Sequence, residues 1–323
     1  MHGHVGRPLV PWRRGKTIVS ALLALGLALA ACSSGGAPTA SSTTTGVHSS
    51  PNGGQSQIAW GRFDPSGLAL FTANADGTNV HALLPGSGYE IPQWSPDGSK
   101  LAAVGAGADG LAVGGVGKGN GSGFHLFRAP LAGLNVPCWM WSPDGARLAC
   151  EAWDNRRPSR NGLYTTRSSD GQDLQRLTRS PDGRHDVPCG YSQDGSRIAF
   201  LRPSLADEEQ GELMVVNADG TNAHKLGHMK VDGCSWSPDG RTILTGAEGF
   251  LYRVSMNGSA SRIRIQASGL ASRAAWSSDG SRIIFSLDAG GGQKDIYTML
   301  ANGSNLIQIT NTPSDEEFGT WRP

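Results

Sequence analysis

A five-residue string that returns at nearly constant spacing constrains this chain more than any other feature. Trp94-Ser95-Pro96-Asp97-Gly98 recurs as Trp141-Ser142-Pro143-Asp144-Gly145, Tyr191-Ser192-Gln193-Asp194-Gly195, Trp236-Ser237-Pro238-Asp239-Gly240 and Trp276-Ser277-Ser278-Asp279-Gly280. The successive spacings are 47, 50, 45 and 40 residues, and a last Trp321 lies 45 beyond Trp276. A period of about 40 to 50 residues marks a solenoid or a propeller. Within the string, Pro presets the first turn position, Asp hydrogen-bonds its own turn, and Gly takes the positive φ that closes a tight hairpin. Each string is therefore a turn between two strands. A short strand carrying the aromatic precedes it, and an apolar strand follows at 101–104, 148–150, 198–200, 243–244 and 283–285.

A second hairpin follows in each unit, clearest where Asn74-Ala75-Asp76-Gly77-Thr78-Asn79 and Asn217-Ala218-Asp219-Gly220-Thr221-Asn222 follow apolar runs, and weaker around Asn257-Gly258 and Asn302-Gly303. Four antiparallel strands per unit make the blade of a β-propeller; a long β-sandwich does not account for the fixed four-strand period. The repeat region opens at Ile58-Ala59-Trp60, which matches the second strand of a unit, and stops at Trp321, which matches the first. Paired with each other, those ends close an all-β ring of six blades and remove free edges. The unit after Trp94 is the least regular: its outer strands fall at 111–116 and 124–128, about a loop of Gly, Lys, Asn and Ser.

The N-terminus carries a different message. Arg7, Arg13, Arg14 and Lys16 precede an apolar run, 18–31, and Leu29-Ala30-Ala31-Cys32 reads as a lipobox. The run is too short for the roughly 20 residues of a spanning helix, so residues 1–31 read as a lipoprotein signal peptide and Cys32 as the lipid attachment site. Residues 32–57, rich in Ser, Thr and Gly, cannot bury a core. They read as a flexible tether with a root-mean-square reach of roughly 25 to 30 Å. Residues 58–323 form the propeller. The first 31 residues hold four of the 28 Lys and Arg and none of the 27 Asp and Glu, so the remainder carries a formal charge of −3. That balance does not favour a nucleic-acid surface.

The repeated W-S-P-D-G strings with their following apolar strands, together with the N-A-D-G-T-N hairpins, resemble the WD-like repeats of the TolB family over nearly all of 58–323. The resemblance implies a six-bladed propeller and a habit of binding proteins. TolB itself is a soluble periplasmic protein with an extra N-terminal domain, where this chain has a lipobox and a tether.

Residues able to do chemistry are few. No G-x-S-x-G elbow is present, and Gly15-Lys16-Thr17 lies in the signal and lacks the leading Gly of a phosphate loop. His224 and His228 are four apart but on a strand and turn, where that spacing does not align two rings. The N-A-D-G-T-N segments have one Asp each and lack the acidic array of a calcium loop. No metal, cofactor or catalytic set is expected. The loops entering the first strands are the candidate binding surface, because they ring the mouth of the central channel: they hold Glu90, Asp186, Asp232, Arg273 and Glu317, with Asn135 at the equivalent place in another unit. A mostly acidic ring there suits a basic peptide or a cation; the plainer reading is a solvated rim of carboxylates. Counting outward from the turn sets Cys138 opposite Cys150, a candidate disulfide, and leaves Cys189 and Cys234 as buried thiols on equivalent faces of successive blades.

The expected function is that of a monomeric, extracytoplasmic binding module, lipid-anchored to the bacterial cell membrane and engaging an envelope protein or peptide. The alternative is a sugar- or peptide-processing propeller enzyme with its site in the channel.

Overall fold

Each Ser-Pro-Asp-Gly turn is satisfied from within. The serine hydroxyl donates to the aspartate two residues on at 2.5–2.6 Å in all five copies. The same carboxylate accepts the backbone N–H beyond the glycine. The five glycines have φ between 66° and 71°, which a Cβ would resist. These bonds hold the turn aspartates below the usual carboxylate range, Asp97 and Asp194 down to about 2, with the serine hydroxyl as the largest cause. The folded value lies below the unfolded value near 3.8, so this stabilisation is present above about pH 4 and lost as pH falls toward about 2. The melting temperature is expected to drop steeply between about pH 4 and pH 2, and Ser95→Ala with Ser192→Ala to flatten that drop. Thermal melts across pH decide it; a serine double variant with the wild-type acid limb would refute it.

The computed structural model describes residues 57–323 apart from 65–66, 85, 87 and 205–206. The signal peptide, Cys32 and the tether lie outside the described residues. Among the described residues, six four-stranded antiparallel sheets account for the fold, with two short 3-10 turns at Pro158–Arg160 and Pro181–Gly183. Blades 1 to 5 span 90–126, 138–176, 187–231, 234–263 and 270–308. Their innermost strands are Glu90–Trp94, Cys138–Trp141, Val187–Tyr191, Cys234–Trp236 and Leu270–Trp276. Blade 6 is built from both ends of the propeller: its innermost strand Asp315–Trp321 pairs antiparallel with Gln57–Asp64, Trp321 opposite Ile58. The six inner strands touch in sequence around a closed ring.

The core sits between blades. Six clusters of buried side chains each draw on two neighbouring blades, as where Trp60 and Trp321 of blade 6 meet Ile284 and Ile296 of blade 5. The motif aromatics belong to these interfaces: Trp94, Trp141, Trp236 and Trp321 are 5–8% exposed. The Trp141 and Trp236 indoles donate to the carbonyls of Gln93 and Gly190 in the preceding blade. Arg197, Arg253 and Arg282 lie over the rings of Trp236, Trp276 and Trp321. In blade 1 the outer strands are Ala112–Lys118 and His125–Leu126; the first begins one residue later and ends two later than the expected 111–116, and the second is narrower than 124–128.

Strand alternation sends all the Ser-Pro-Asp-Gly and Asn-Ala-Asp-Gly turns to one face, the turn face, and all the irregular connections to the other, the loop face. Both ends of the propeller emerge on the turn face, where Arg322 bonds the Gln57 side chain at 2.6 Å and the Gly98 carbonyl at 3.0 Å.

Candidate functional site

The inner strands enter from the loop face, and three of them carry the same irregularity there. Ile91, Arg273 and Phe318, each three residues before its motif aromatic, have φ of 55°, 54° and 59°. Register shifts accompany them in blades 1, 5 and 6. Such bulges re-aim side chains, and a β-branched residue at positive φ is a real departure from preference. In these strands the residue four before the aromatic is Glu90, Asp232, Ser272 or Glu317, and the residue five before it is Asp186 or Glu316.

The two positions behave differently. Those five residues back face into their own blade: Asp186 and Glu316 are fully buried and paired with an arginine of the second strand. Arg202 holds Asp186 through two bonds of 2.8 Å, with Thr178 and Ser180 donating as well, and Arg62 holds Glu316 at 2.8 Å. Asp186 is thus a structural carboxylate, not a member of the mouth, because a one-residue offset on a strand reverses the face.

Glu90, Asp232, Arg273 and Glu317 are brought together, along with one cation, Lys294, and one acid, Glu151, that carry no repeated motif. Lys294 of blade 5 reaches Glu317 at 2.6 Å, and Arg273 lies 3.7 Å from it while its guanidinium sits 4.6 Å above the Phe318 ring. Glu151, on the second strand of blade 2, is buried and hydrogen-bonds His185. Asp232 sits against Gly246, where an added Cβ would lie 2.2 Å from its Oδ1. Asn135 is taken up structurally, accepting from the Ala112 N–H and donating to Trp153 O.

These groups are not a solvated rim. Glu90 is 1% exposed and neither carboxylate oxygen has a hydrogen-bond partner; Asp232 Oδ1 is likewise buried and unpartnered. Burial pushes the Glu90 carboxyl well above its ordinary range, with Glu151 and Glu317 adding repulsion and Arg273 opposing it. Asp232 is raised for the same first reason, with Arg273 and Lys294 opposing. The interaction of Glu90 with groups from blades 2, 5 and 6 runs across the channel. An apolar collar of buried Ile91, Val104 and Trp139, with partly buried Met140, Val187 and Phe318 packed against it, adjoins these groups. A charged well backed by an apolar collar results.

A carboxyl raised in the fold makes the protein less stable as pH climbs above the unfolded value near 4.5, since ionisation is then easier in the unfolded chain. Glu90→Gln is expected to raise the melting temperature at pH 7 by a few degrees, because the amide removes the ionisation that favours the unfolded chain there, and to gain nothing at about pH 4. Paired melts at the two pH values test this; an equal gain at both would refute it.

The cysteines also lie near the channel. Cys138 stands opposite Cys150 and is bonded to it, with Cα atoms 4.0 Å apart. The turn itself sets Trp141 opposite Leu148, one residue from the expected count, and a register shift between Cys138 and Met140 restores the pair. Cys189 and Cys234 are not thiols: they form a second disulfide, Cα atoms 5.2 Å apart, between the inner strands of blades 3 and 4. Equivalent positions of neighbouring blades diverge at the rim of a ring but converge at its axis.

The fold and the well define a class: a six-bladed β-propeller of four-stranded blades, closed by its own ends, with buried charge at the loop-face mouth of its channel. Within that class its likeness is to TolB structures. TolB from Acinetobacter baumannii superposes with a TM-score of 0.65 at 19% identity, covering 83% of this chain and 67% of that one. Putative TolB from Agrobacterium tumefaciens gives 0.61 at 19% identity, covering 83% and 99%. An enzyme is also similar in fold: oligogalacturonate lyase in complex with manganese gives 0.54 at 15% identity, covering 80% and 74%. At these identities the likeness is one of fold. No family model and no curated protein matches the chain.

Proposed function

We propose that the protein is an extracytoplasmic binding module, held on the cell membrane by lipid at Cys32 after removal of residues 1–31, which receives an envelope protein or short peptide at the loop-face well. The observation that carries this reading is the contrast between the two faces. The turn face is a set of near-identical turns whose polar groups are satisfied internally. The loop face gathers charge from blades 1, 2, 4, 5 and 6 and leaves part of it without partners. Function usually resides in loops on a rigid scaffold.

Attachment geometry supports the same reading. The tether joins the propeller at Gln57, on the turn face where Arg322 bridges Gln57 and Gly98, so the point of attachment leaves the loop-face well unobstructed. A second reading, an enzyme, is favoured by one feature: His185, held by buried Glu151 at the mouth, is placed to exchange a proton with a channel ligand.

The test is crosslinking in intact cells with the tagged, full-length protein. A partner captured by the wild type and lost with Asp232→Asn and Glu317→Gln, but kept with Ser95→Ala on the turn face, supports the binding reading. Capture indifferent to the two mouth variants overturns it. Cys32→Ala is expected to abolish lipid labelling and membrane retention, and labelling that persists would overturn the anchor.

A further inference from the structure

We propose that the loop-face well is a receptor for one cationic side chain, an ammonium or guanidinium carried by a peptide, with Glu90 as the carboxyl that releases a proton when the cation enters. The inference rests on the peptide-binding reading above and names the chemistry of the ligand.

The charge inventory of the well is unbalanced. Four acids, Glu90, Glu151, Asp232 and Glu317, face two permanent cations, Arg273 and Lys294, and both cations are already drawn to Glu317. Glu151 has His185. Glu90 is left with no donor on either oxygen, and Asp232 lacks one on Oδ1. An ionised carboxylate buried without a donor is costly enough that it takes up a proton instead. Glu90 is therefore held neutral in the empty well, and its neighbours set that state: Glu151 and Glu317 oppose ionisation and Arg273 favours it. A cation entering from the loop face supplies the missing donor. The Glu90 proton then leaves to solvent, one positive charge replaces another, and the well keeps its net charge.

The composition of the well suits a long amphipathic side chain. Val187 and Phe318, only partly buried where they pack against Ile91 and Trp139, offer apolar surface beside the acids. Lys and Arg pair an apolar stem with a charged head, so the stem lies on the collar while the head reaches Glu90 and Asp232. An anion is disfavoured because Arg273 and Lys294 are engaged. A divalent metal is disfavoured because, among the described residues, no three His, Cys, Asp or Glu side chains converge as metal ligands do.

The test is isothermal titration of the full-length protein in detergent micelles with acetyl-Ala-Lys-Ala-amide and acetyl-Ala-Arg-Ala-amide. Acetyl-Ala-Gln-Ala-amide is the control, and each peptide is run at about pH 7 in phosphate and in Tris. The cationic peptides are expected to bind and the glutamine peptide not. The apparent enthalpy should differ between buffers, reporting up to one proton released. Glu90→Gln should weaken binding by at least about tenfold and erase the buffer difference, while Asp232→Asn weakens binding and leaves that difference in place. Cationic peptides that bind with equal enthalpy in both buffers, or equally well to Glu90→Gln, overturn the proton-linked role. Calcium chloride that titrates the well and displaces the peptides overturns the choice of ligand. If neither cationic peptide binds while cellular capture still depends on Asp232 and Glu317, this inference fails and the binding module stands; if that capture is indifferent as well, both fail.

Discussion

Removal of residues 318–323 is expected to lower the melting temperature by more than about 10 °C. The segment supplies most of the strand that closes the ring, with Trp321 opposite Ile58 and Thr320 opposite Ala59. Trp321 is 7% exposed in the cluster that joins blades 5 and 6, and Arg322 ties Gln57 to the Gly98 carbonyl. Loss of a buried Trp alone costs roughly 3–5 kcal/mol, and each kcal/mol moves a domain of this size by about 2–4 °C. The deletion also bares the edge of Gln57–Asp64 and the neighbouring blade faces. Trp321→Ala, which keeps the strand, is expected to give a smaller drop if the truncated chain does not fold. Differential scanning calorimetry measures both, and an unchanged melting curve for the truncation would mean that the ring is not closed there.

The inter-blade disulfide is expected to matter more than the one inside blade 2. In the chain-entropy account, stabilisation grows with the loop closed, about 4 kcal/mol for the 45-residue separation of Cys189 and Cys234 and about 3 kcal/mol for the 12-residue separation of Cys138 and Cys150. Replacing Cys189 and Cys234 together by Ser should therefore lower the melting temperature by about 10 °C. The Cys138→Ala, Cys150→Ala pair should cost less. Non-reducing peptide mapping of the purified protein checks the connectivity itself; free thiols at 189 and 234 after alkylation would defeat the inter-blade bond.

The propeller was legible because its turns are local. Pro, Asp and Gly at fixed offsets specify a hairpin without reference to the rest of the chain, and five repeats of one hairpin specify a ring. Blade 1 was blurred for a physical reason: its third strand contains Gly114, Gly115 and Gly117, which carry no side chains to alternate. They are small because other backbone comes close, a Cβ on Gly114 lying 2.5 Å from the Cys138 carbonyl and one on Gly115 lying 2.6 Å from that of His125.

The site was legible only in part. Glu90, Asp232, Arg273 and Glu317 were singled out because they precede the aromatics, but Asp186 was grouped with them although it stands five residues before Tyr191 rather than three or four. Counting every loop acid back from its aromatic would have separated Asp186 and Glu316 from the mouth set, and would have suggested looking for Arg202 and Arg62 opposite them. Lys294 and Glu151 come from third and second strands, where no repeated motif marks them. The Cys189 to Cys234 bond depends on how steeply inner strands converge, a property of the closed ring and not of any one blade.

Closure by the two ends carries a consequence for the order of events during synthesis. A chain that emerges N-terminus first delivers Gln57–Asp64 early, with one side of that strand lacking its neighbour until Asp315–Trp321 arrives. The pairing spans more than 250 residues, as the Arg62 to Glu316 contact illustrates. Contacts so distant in sequence form late and slowly. Blades 1 to 5 can assemble as they emerge, but the ring, and with it the Glu317 wall of the well, is complete only when the last residues have been made. A prematurely terminated chain therefore lacks both the seal and one wall of the charged well, and its open edge distinguishes it from the finished product for any protease that samples unpaired strands.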